Sequence, residues 1–169
     1  MYKIKIAPEE AFKTKINKED WKDFNDNYRS FENIITVRQV SNEGLMTILF
    51  GKGLGSNVNL GRKIKTNDGT EVQFIPILHN GFMTVFLKAG LFGVLFLVYF
   101  IYVLFKQNKS KNEIIRNINY LLVGTSIFLI VSNWVFMGLY LKLDNKSIII
   151  GFLIALKELI ANQSKKLIE

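Results

Sequence analysis

The sequence contains a single histidine, His79, which stands in LHNGFMTVFLKAGLFG directly before a long apolar run. An imidazole is well suited to accept a proton near neutral pH, because its unperturbed pKa is about 6.5. Arginine supplies a complementary chemistry, since a guanidinium binds phosphate oxygens in pairs and keeps its charge. By itself, a lone histidine at the start of an apolar run is usually an interfacial polar residue or a cap partner, so any chemical role for His79 needs further support from the sequence.

The composition limits the other kinds of chemistry. The chain has no cysteine and one histidine, which excludes a disulfide framework, a thiolate metal site and a histidine-rich metal site. We expect neither a metal nor another cofactor. The net charge is +8, but the basic residues of the second half flank apolar runs, which is typical of membrane anchoring and not of nucleic-acid binding.

Three apolar segments follow the histidine, at residues 81–105, 120–141 and 148–161. At about 1.5 Å per residue, a helix over the first segment exceeds a hydrocarbon core of about 30 Å, and the second is also long enough. The third is short and contains Lys157 and Glu158, so it is either a brief span with its charges at the interface or a helix lying on the surface. Its length favours the span.

Polar side chains inside these segments have expected positions. Lys88 should lie near one interface, where its ammonium reaches polar headgroups. Ser126, Ser132 and Asn133 should face other helices, since lipid offers them no hydrogen-bond partner.

The loops predict the orientation. The link at residues 106–117 is rich in lysine and arginine, whereas the next link has only Lys142 and Lys146. Short cytoplasmic loops are enriched in basic residues, so the link at 106–117 is expected inside. Residues 1–78 then form an extracytoplasmic domain, and residues 79–169 form the multi-pass membrane portion.

The polar first half predicts a mixed α/β segment. Alternation predicts a strand over residues 2–6, and the charged stretch after it fits short helices or loops. Residues 63–66 and 70–74, joined through Asn67-Asp68-Gly69, predict a hairpin. No apolar signal segment or earlier span precedes this half, so we expect the chain to be the C-terminal part of a longer polytopic protein.

A glycine-rich phrase, FGKGLGS, lies between these elements, with Gly51, Gly53 and Gly55. It lacks the spacing of a phosphate-binding loop and is one residue short of the dinucleotide fingerprint. By themselves these residues favour a turn where the backbone bends sharply.

Two phrases together resemble a known family. His79-Asn80 is followed after nine residues by Gly90-Leu-Phe-Gly93, and this HN-x9-GxxG pattern resembles the signature around the functional histidine of the O-antigen ligase and O-antigen polymerase family. FGKGLGS resembles the glycine-rich stretch that precedes that histidine. The resemblance covers roughly Arg29 to the C-terminus.

The resemblance implies an activity. Family members are bacterial integral-membrane glycosyltransferases with a GT-C-like fold, acting on undecaprenyl-diphosphate-linked glycans at the outer face of the plasma membrane. It implies metal-independent transfer to a lipid or sugar acceptor, without separating ligase from polymerase. His79 would be the general base, and Arg29 and Asn80 would bind substrate. The family's other arginine would lie upstream of Met1, either in the same protein or on a separate polypeptide that carries the upstream helices.

Other interpretations remain beside these. Asn80 is equally well placed to cap the first span. Ala89, Gly90 and Gly93 are better explained as a helix-packing face than as a site. Arg29 and Arg62 could be solvated loop charges. The chain could also be a catalytically inactive remnant of such an enzyme, or a non-enzymatic membrane protein whose outer domain binds a protein or polysaccharide.

Overall fold

The computed structural model describes residues 16, 21–65, 69–135 and 145–166. The chain divides into two units, Met1–Val94 and Leu95–Glu169. The described part is mostly helical with one small sheet, and its elements in chain order are α1 (Trp21–Asp26), α2 (Tyr28–Asn42), α3 (Leu45–Phe50), β1 (Val58–Lys65), β2 (Glu71–Ile75), α4 (Gly81–Phe105), α5 (Glu113–Val135) and α6 (Lys146–Lys166). The strand predicted for residues 2–6 lies outside the described residues.

The two strands form an antiparallel pair, which confirms the predicted hairpin. Val58 lies opposite Ile75 and Lys65 opposite Glu71, with an irregularity in the register between Asn59 and Ile64. β1 is longer than predicted because it begins at Val58. The turn residues Asn67 and Asp68 lie outside the described residues.

An apolar core joins the helices of the first unit to this hairpin. Its buried members come from α1, α2, β1, the segment before α4 and α4 itself: Phe24, Phe31, Val40, Val58, Leu60, Leu78 and Leu87. The Arg62 guanidinium lies 4.4 Å from the centre of the Phe24 ring. Arg62 was expected to be a solvated charge, but its planar group covers an aromatic face of the core instead.

α4 has the predicted bounds but is interrupted at Gly90, where φ is 64° and ψ is −160°. This conformation is accessible essentially to glycine alone. The interruption frees carbonyls of the preceding turn, and the glycine-rich phrase satisfies two of them. The backbone N–H of Lys52 donates to the Leu87 carbonyl at 2.8 Å, and that of Gly53 donates to the Lys88 carbonyl at 3.1 Å.

α5 begins earlier than predicted, at Glu113, inside the basic link assigned to residues 106–117. Asn112 accounts for this start, because its Oδ1 accepts the backbone N–H groups of Ile114 at 2.9 Å and Ile115 at 3.3 Å. This is an N-cap, and Glu113 adds a favourable negative charge in the first turn. The end of the predicted segment, residues 136–141, lies outside the described residues.

Within the described residues, three helices are long and apolar enough to cross a membrane: Gly81–Phe105, Glu113–Val135 and Lys146–Ser164. In α5 the polar side chains are buried as expected, with exposures of 0% for Ser126 and 0% for Asn133. They donate to carbonyls of their own helix, Ser126 Oγ to Val123 and Asn133 Nδ2 to Leu129. Apolar neighbours are exposed instead, namely Ile127, Phe128, Ile130 and Val131.

The last helix, α6, extends beyond the predicted residues 148–161 at both ends. Lys157 Nζ donates to Gln107 Oε1 at 2.7 Å. Gln107 belongs to the polar segment between α4 and α5, so the ammonium of Lys157 reaches polar surroundings. That Lys157 and Glu158 lie at a membrane interface stays a prediction.

Candidate functional site

His79 lies between β2 and α4, against the carboxylate of Glu32 on α2. Its Nδ1 is 3.1 Å from Glu32 Oε1 and 3.0 Å from Oε2, and its backbone N–H donates to Oε2 at 3.1 Å. The His79 side chain is 45% exposed and that of Glu32 only 2%. A buried carboxylate therefore holds a histidine whose ring still reaches the surface.

This contact selects the tautomer of the neutral ring. An ionised carboxylate can only accept hydrogen bonds, so Nδ1 carries the hydrogen. The lone pair of the neutral ring is then on Nε2, and a proton accepted there gives an imidazolium that the carboxylate stabilises. Carboxylates orient histidine bases in this way in hydrolases and at metal centres.

Tyr28 is the third member of the cluster. Burial, and after it the nearby charge of the Glu32 carboxylate, raises the pKa of its phenol above the ordinary value. Its ring meets the His79 ring edge to face, with the centroids 5.8 Å apart. Burying a carboxylate is costly unless donors surround it, and the ring and backbone N–H groups of His79 are such donors.

The backbone on both sides of His79 is fixed by Thr84, which is fully buried. Thr84 Oγ1 accepts the N–H of Leu78 at 3.1 Å and donates to the Asn80 carbonyl at 3.1 Å. The position of the imidazole is thus set by α4 as well as by α2.

Asn80 begins α4 as its N-cap. Its Oδ1 accepts the backbone N–H of Met83 at 3.1 Å, and the residue is 6% exposed. This is the capping arrangement that the sequence offered as an alternative to substrate contact. Its role toward a substrate stays a prediction.

Arg29 lies in the first turn of α2, three residues before Glu32. Residues three apart are neighbours on a helix surface, about 5–6 Å apart at Cβ. In the described part of the chain the guanidinium forms no ion pair with Glu32. The structure thus brings His79 and Asn80 together by chain adjacency, and places Arg29 one turn from the carboxylate that holds the histidine.

The glycine phrases identified in the sequence pack against each other. A Cβ on Gly51 would overlap the backbone of Lys88 and Ala89, and a Cβ on Gly90 would overlap the backbone of Leu49 and Phe50. FGKGLGS and GLFG are therefore two sides of one close backbone contact. This contact lies further along the chain of α4 than His79, and it fixes the break in that helix at Gly90.

Lys88 takes part in this contact. Its Nζ donates to the carbonyl of Leu54 at 2.7 Å and to that of Ser56 at 3.1 Å. The ammonium therefore binds backbone carbonyls beside the glycine-rich phrase, and its predicted position near a membrane interface stays a prediction.

Sequence reasoning missed Glu32 and Tyr28. A usable signal was present, because Tyr28, Glu32, Thr36 and Val40 recur every four residues and so share one helix face. Thr36 and Val40 are fully buried, and Glu32 lies one turn before Thr36 on the same face. A carboxylate on a buried face needs specific hydrogen-bond partners.

Among the described residues, no group of three or more acidic, histidine or cysteine side chains is placed to hold a metal ion. The cluster is instead a carboxylate hydrogen-bonded to an imidazole, with a phenol beside them. Nothing matches the chain among models of protein families, curated proteins or solved structures.

Proposed function

We propose that the chain is the C-terminal part of a membrane glycosyltransferase of the O-antigen ligase or polymerase type. It moves a glycan from undecaprenyl diphosphate to a sugar acceptor at the outer face of a bacterial plasma membrane. The HN-x9-GxxG pattern and the glycine-rich phrase support the family, and the three apolar helices support the membrane location.

The observation that carries the proposal is the contact between His79 Nδ1 and the buried Glu32 carboxylate at 3.0 Å. In the tautomer that this contact selects, Nε2 accepts the proton of the acceptor's hydroxyl group. The hydroxyl oxygen attacks the anomeric carbon at the same time. The bond from that carbon to the diphosphate oxygen breaks, and the diphosphate leaves with the electron pair. The proton stays on the imidazole, where Glu32 stabilises the positive charge.

Arg29 is the candidate for binding the diphosphate. The leaving group gains negative charge as the glycosidic bond breaks, and a guanidinium stabilises that charge through paired hydrogen bonds. Its position one turn before Glu32 puts it on the helix that carries the base-orienting carboxylate. Asn80 contributes by fixing the start of α4 beside the base.

The experiment is codon replacement at the native gene, with surface glycans resolved on a gel and protein level measured in isolated membranes. His79→Ala should lower glycan transfer roughly 10²- to 10⁴-fold, the usual contribution of a general base. Arg29→Ala should also lower it, whereas Arg38→Ala is the matched control, since Arg38 is an exposed arginine on the same helix. All three variants should be present at the wild-type level.

Two outcomes contradict the proposal. If His79→Ala leaves the glycan pattern unchanged, the imidazole is structural and the chemical assignment fails. If deletion of the whole gene leaves the pattern unchanged, the chain is an inactive remnant or a binding protein.

A further inference from the structure

A cavity with a mostly apolar lining lies in the second unit, between the segment that follows α4 and the first turns of α5. Its volume is about 290 Å³, and its lining includes Asn108, Lys109, Arg116, Asn119, Tyr120 and Val123. The last four lie at positions i, i+3, i+4 and i+7 of α5, so they form one face of that helix. The segment that precedes α5 covers the N-terminal end of this face.

The cavity is cationic at one end and apolar at the other. Lys109 and Arg116 are exposed, and the Arg116 guanidinium makes only a 3.9 Å contact with the exposed Glu113 carboxylate. An exposed ion pair of this length contributes little, so the guanidinium keeps donors for another anion. One turn further along α5, Tyr120 and Val123 continue into the apolar part of a candidate membrane helix.

Asn119 gives independent evidence for a ligand. The residue is 6% exposed, and its Nδ2 donates to the Asn108 carbonyl at 2.8 Å. Its Oδ1 is buried and accepts no hydrogen bond from the described residues. An unsatisfied buried acceptor is costly, and a donor from a bound molecule would remove that cost.

These features specify the ligand chemistry. The two cations require a phosphate, the Asn119 acceptor requires a hydroxyl or ammonium donor close to that phosphate, and the apolar end requires an acyl chain. Basic pockets beside membrane helices bind anionic lipid headgroups for the same reason. We infer that this cavity binds the headgroup of an anionic glycerophospholipid, with its phosphate on Lys109 and Arg116 and a headgroup hydroxyl donating to Asn119. The site is separate from that of His79 and does not depend on the proposed transferase activity.

The test is native mass spectrometry of the full chain in detergent, titrated with phosphatidylglycerol. Phosphatidylglycerol should bind about tenfold more tightly than phosphatidylcholine, because both lipids carry the phosphate but the choline cation cancels its charge and has no hydroxyl donor for Asn119. Phosphatidylmethanol has the same charge without the hydroxyl donors, and it should bind more weakly than phosphatidylglycerol. The K109Q/R116Q double variant should lose the preference for the anionic lipid. Lys111→Gln is the matched control, since Lys111 is exposed in the same segment but does not line the cavity.

Each contrary result overturns a defined part of the inference. Equal binding of phosphatidylglycerol to the wild type and to K109Q/R116Q excludes these cations as the phosphate site. An equal loss with Lys111→Gln shows diffuse attraction and no built site. Displacement of the lipid by an equal concentration of inorganic phosphate identifies a free-anion site in place of a lipid site.

Discussion

At the scale of single residues, the cluster around His79 gathers hydrogen-bond donors around one buried carboxylate and so orients it. Glu32 is buried, it accepts hydrogen bonds from the His79 ring and the His79 backbone, and the Tyr28 phenol lies close enough for the Glu32 charge to raise its pKa. Both donors belong to one residue. The carboxylate therefore fixes both the position of that residue and the tautomer of its ring.

Replacing Glu32 tests this role in positioning the base. In Glu32→Gln an amide N–H can donate to Nδ1, which moves the ring hydrogen to Nε2 and removes the lone pair from the reacting side. Under the proposed function, we expect glycan transfer to fall roughly 10²- to 10⁴-fold, the usual contribution of a general base, with less change in thermal stability than for Glu32→Ala. The pH profile of transfer should also change, because the variant lacks the charge that stabilises the imidazolium.

Glu43→Gln is the control for Glu32→Gln, since Glu43 is a partly exposed carboxylate paired with Lys52. Under the proposed function, Glu43→Gln should leave glycan transfer at the wild-type level. Full activity in Glu32→Gln would show that the contact only anchors the loop.

Tyr28 gives a prediction about pH. Its pKa is raised above the ordinary 10.0 by burial and by Glu32, so the protonated phenol is favoured in the folded state. This stabilisation is complete below pH 10 and is lost as the pH rises from there through the raised pKa. The difference in melting temperature between the wild type and Tyr28→Phe should therefore be constant below about pH 10 and shrink above it. A difference that grows with alkaline pH would contradict the assignment.

At the scale of elements, the sequence alone predicted those features that depend on residues close together along the chain. The apolar run at 81–105 has the bounds of α4, because length and composition decide a membrane helix. The break at Gly90 was not predicted, since it requires the backbone of Gly51 from a distant part of the chain. Glu32 was missed for the same reason, because its partner His79 is 47 positions away.

The packed glycines can be tested with alanine substitutions at four positions. Gly51→Ala and Gly90→Ala introduce both a strained positive φ and an overlap with backbone, so each should destabilise by roughly 2–6 kcal/mol. Gly53 has a φ of +91° but open space around it, so Gly53→Ala should cost only the strain, about 1–3 kcal/mol. Gly55 has neither feature, and Gly55→Ala should be neutral. Thermal unfolding in detergent would rank the four variants, and equal losses at Gly51 and Gly53 would exclude the backbone overlap as the cause.

At the scale of the whole molecule, side chains are distributed as lipid surroundings favour. α5 buries Ser126, Ser132 and Asn133 and exposes apolar side chains such as Phe128 and Val131. In water this arrangement would expose apolar surface at a large cost, whereas in a bilayer it is stable. The segment between α4 and α5 carries Lys106, Lys109 and Lys111 and has no comparable apolar surface. The helix α5 therefore presents a surface suited to lipid, whereas the segment between α4 and α5 presents a surface suited to water.

The side of the membrane that each part faces can be measured directly, because the chain has no cysteine and single cysteines can be introduced without background. Asn108→Cys lies in the basic segment after α4, and Ser41→Cys lies near the end of α2, and both positions are exposed. Since basic loops stay in the cytoplasm, a membrane-impermeant maleimide should label Ser41→Cys in intact cells and Asn108→Cys only after lysis. Labelling of Asn108→Cys in intact cells would invert the orientation and place His79 in the cytoplasm. Such a result would remove the base from the membrane face where lipid-linked glycans are transferred, and with it the proposed reaction.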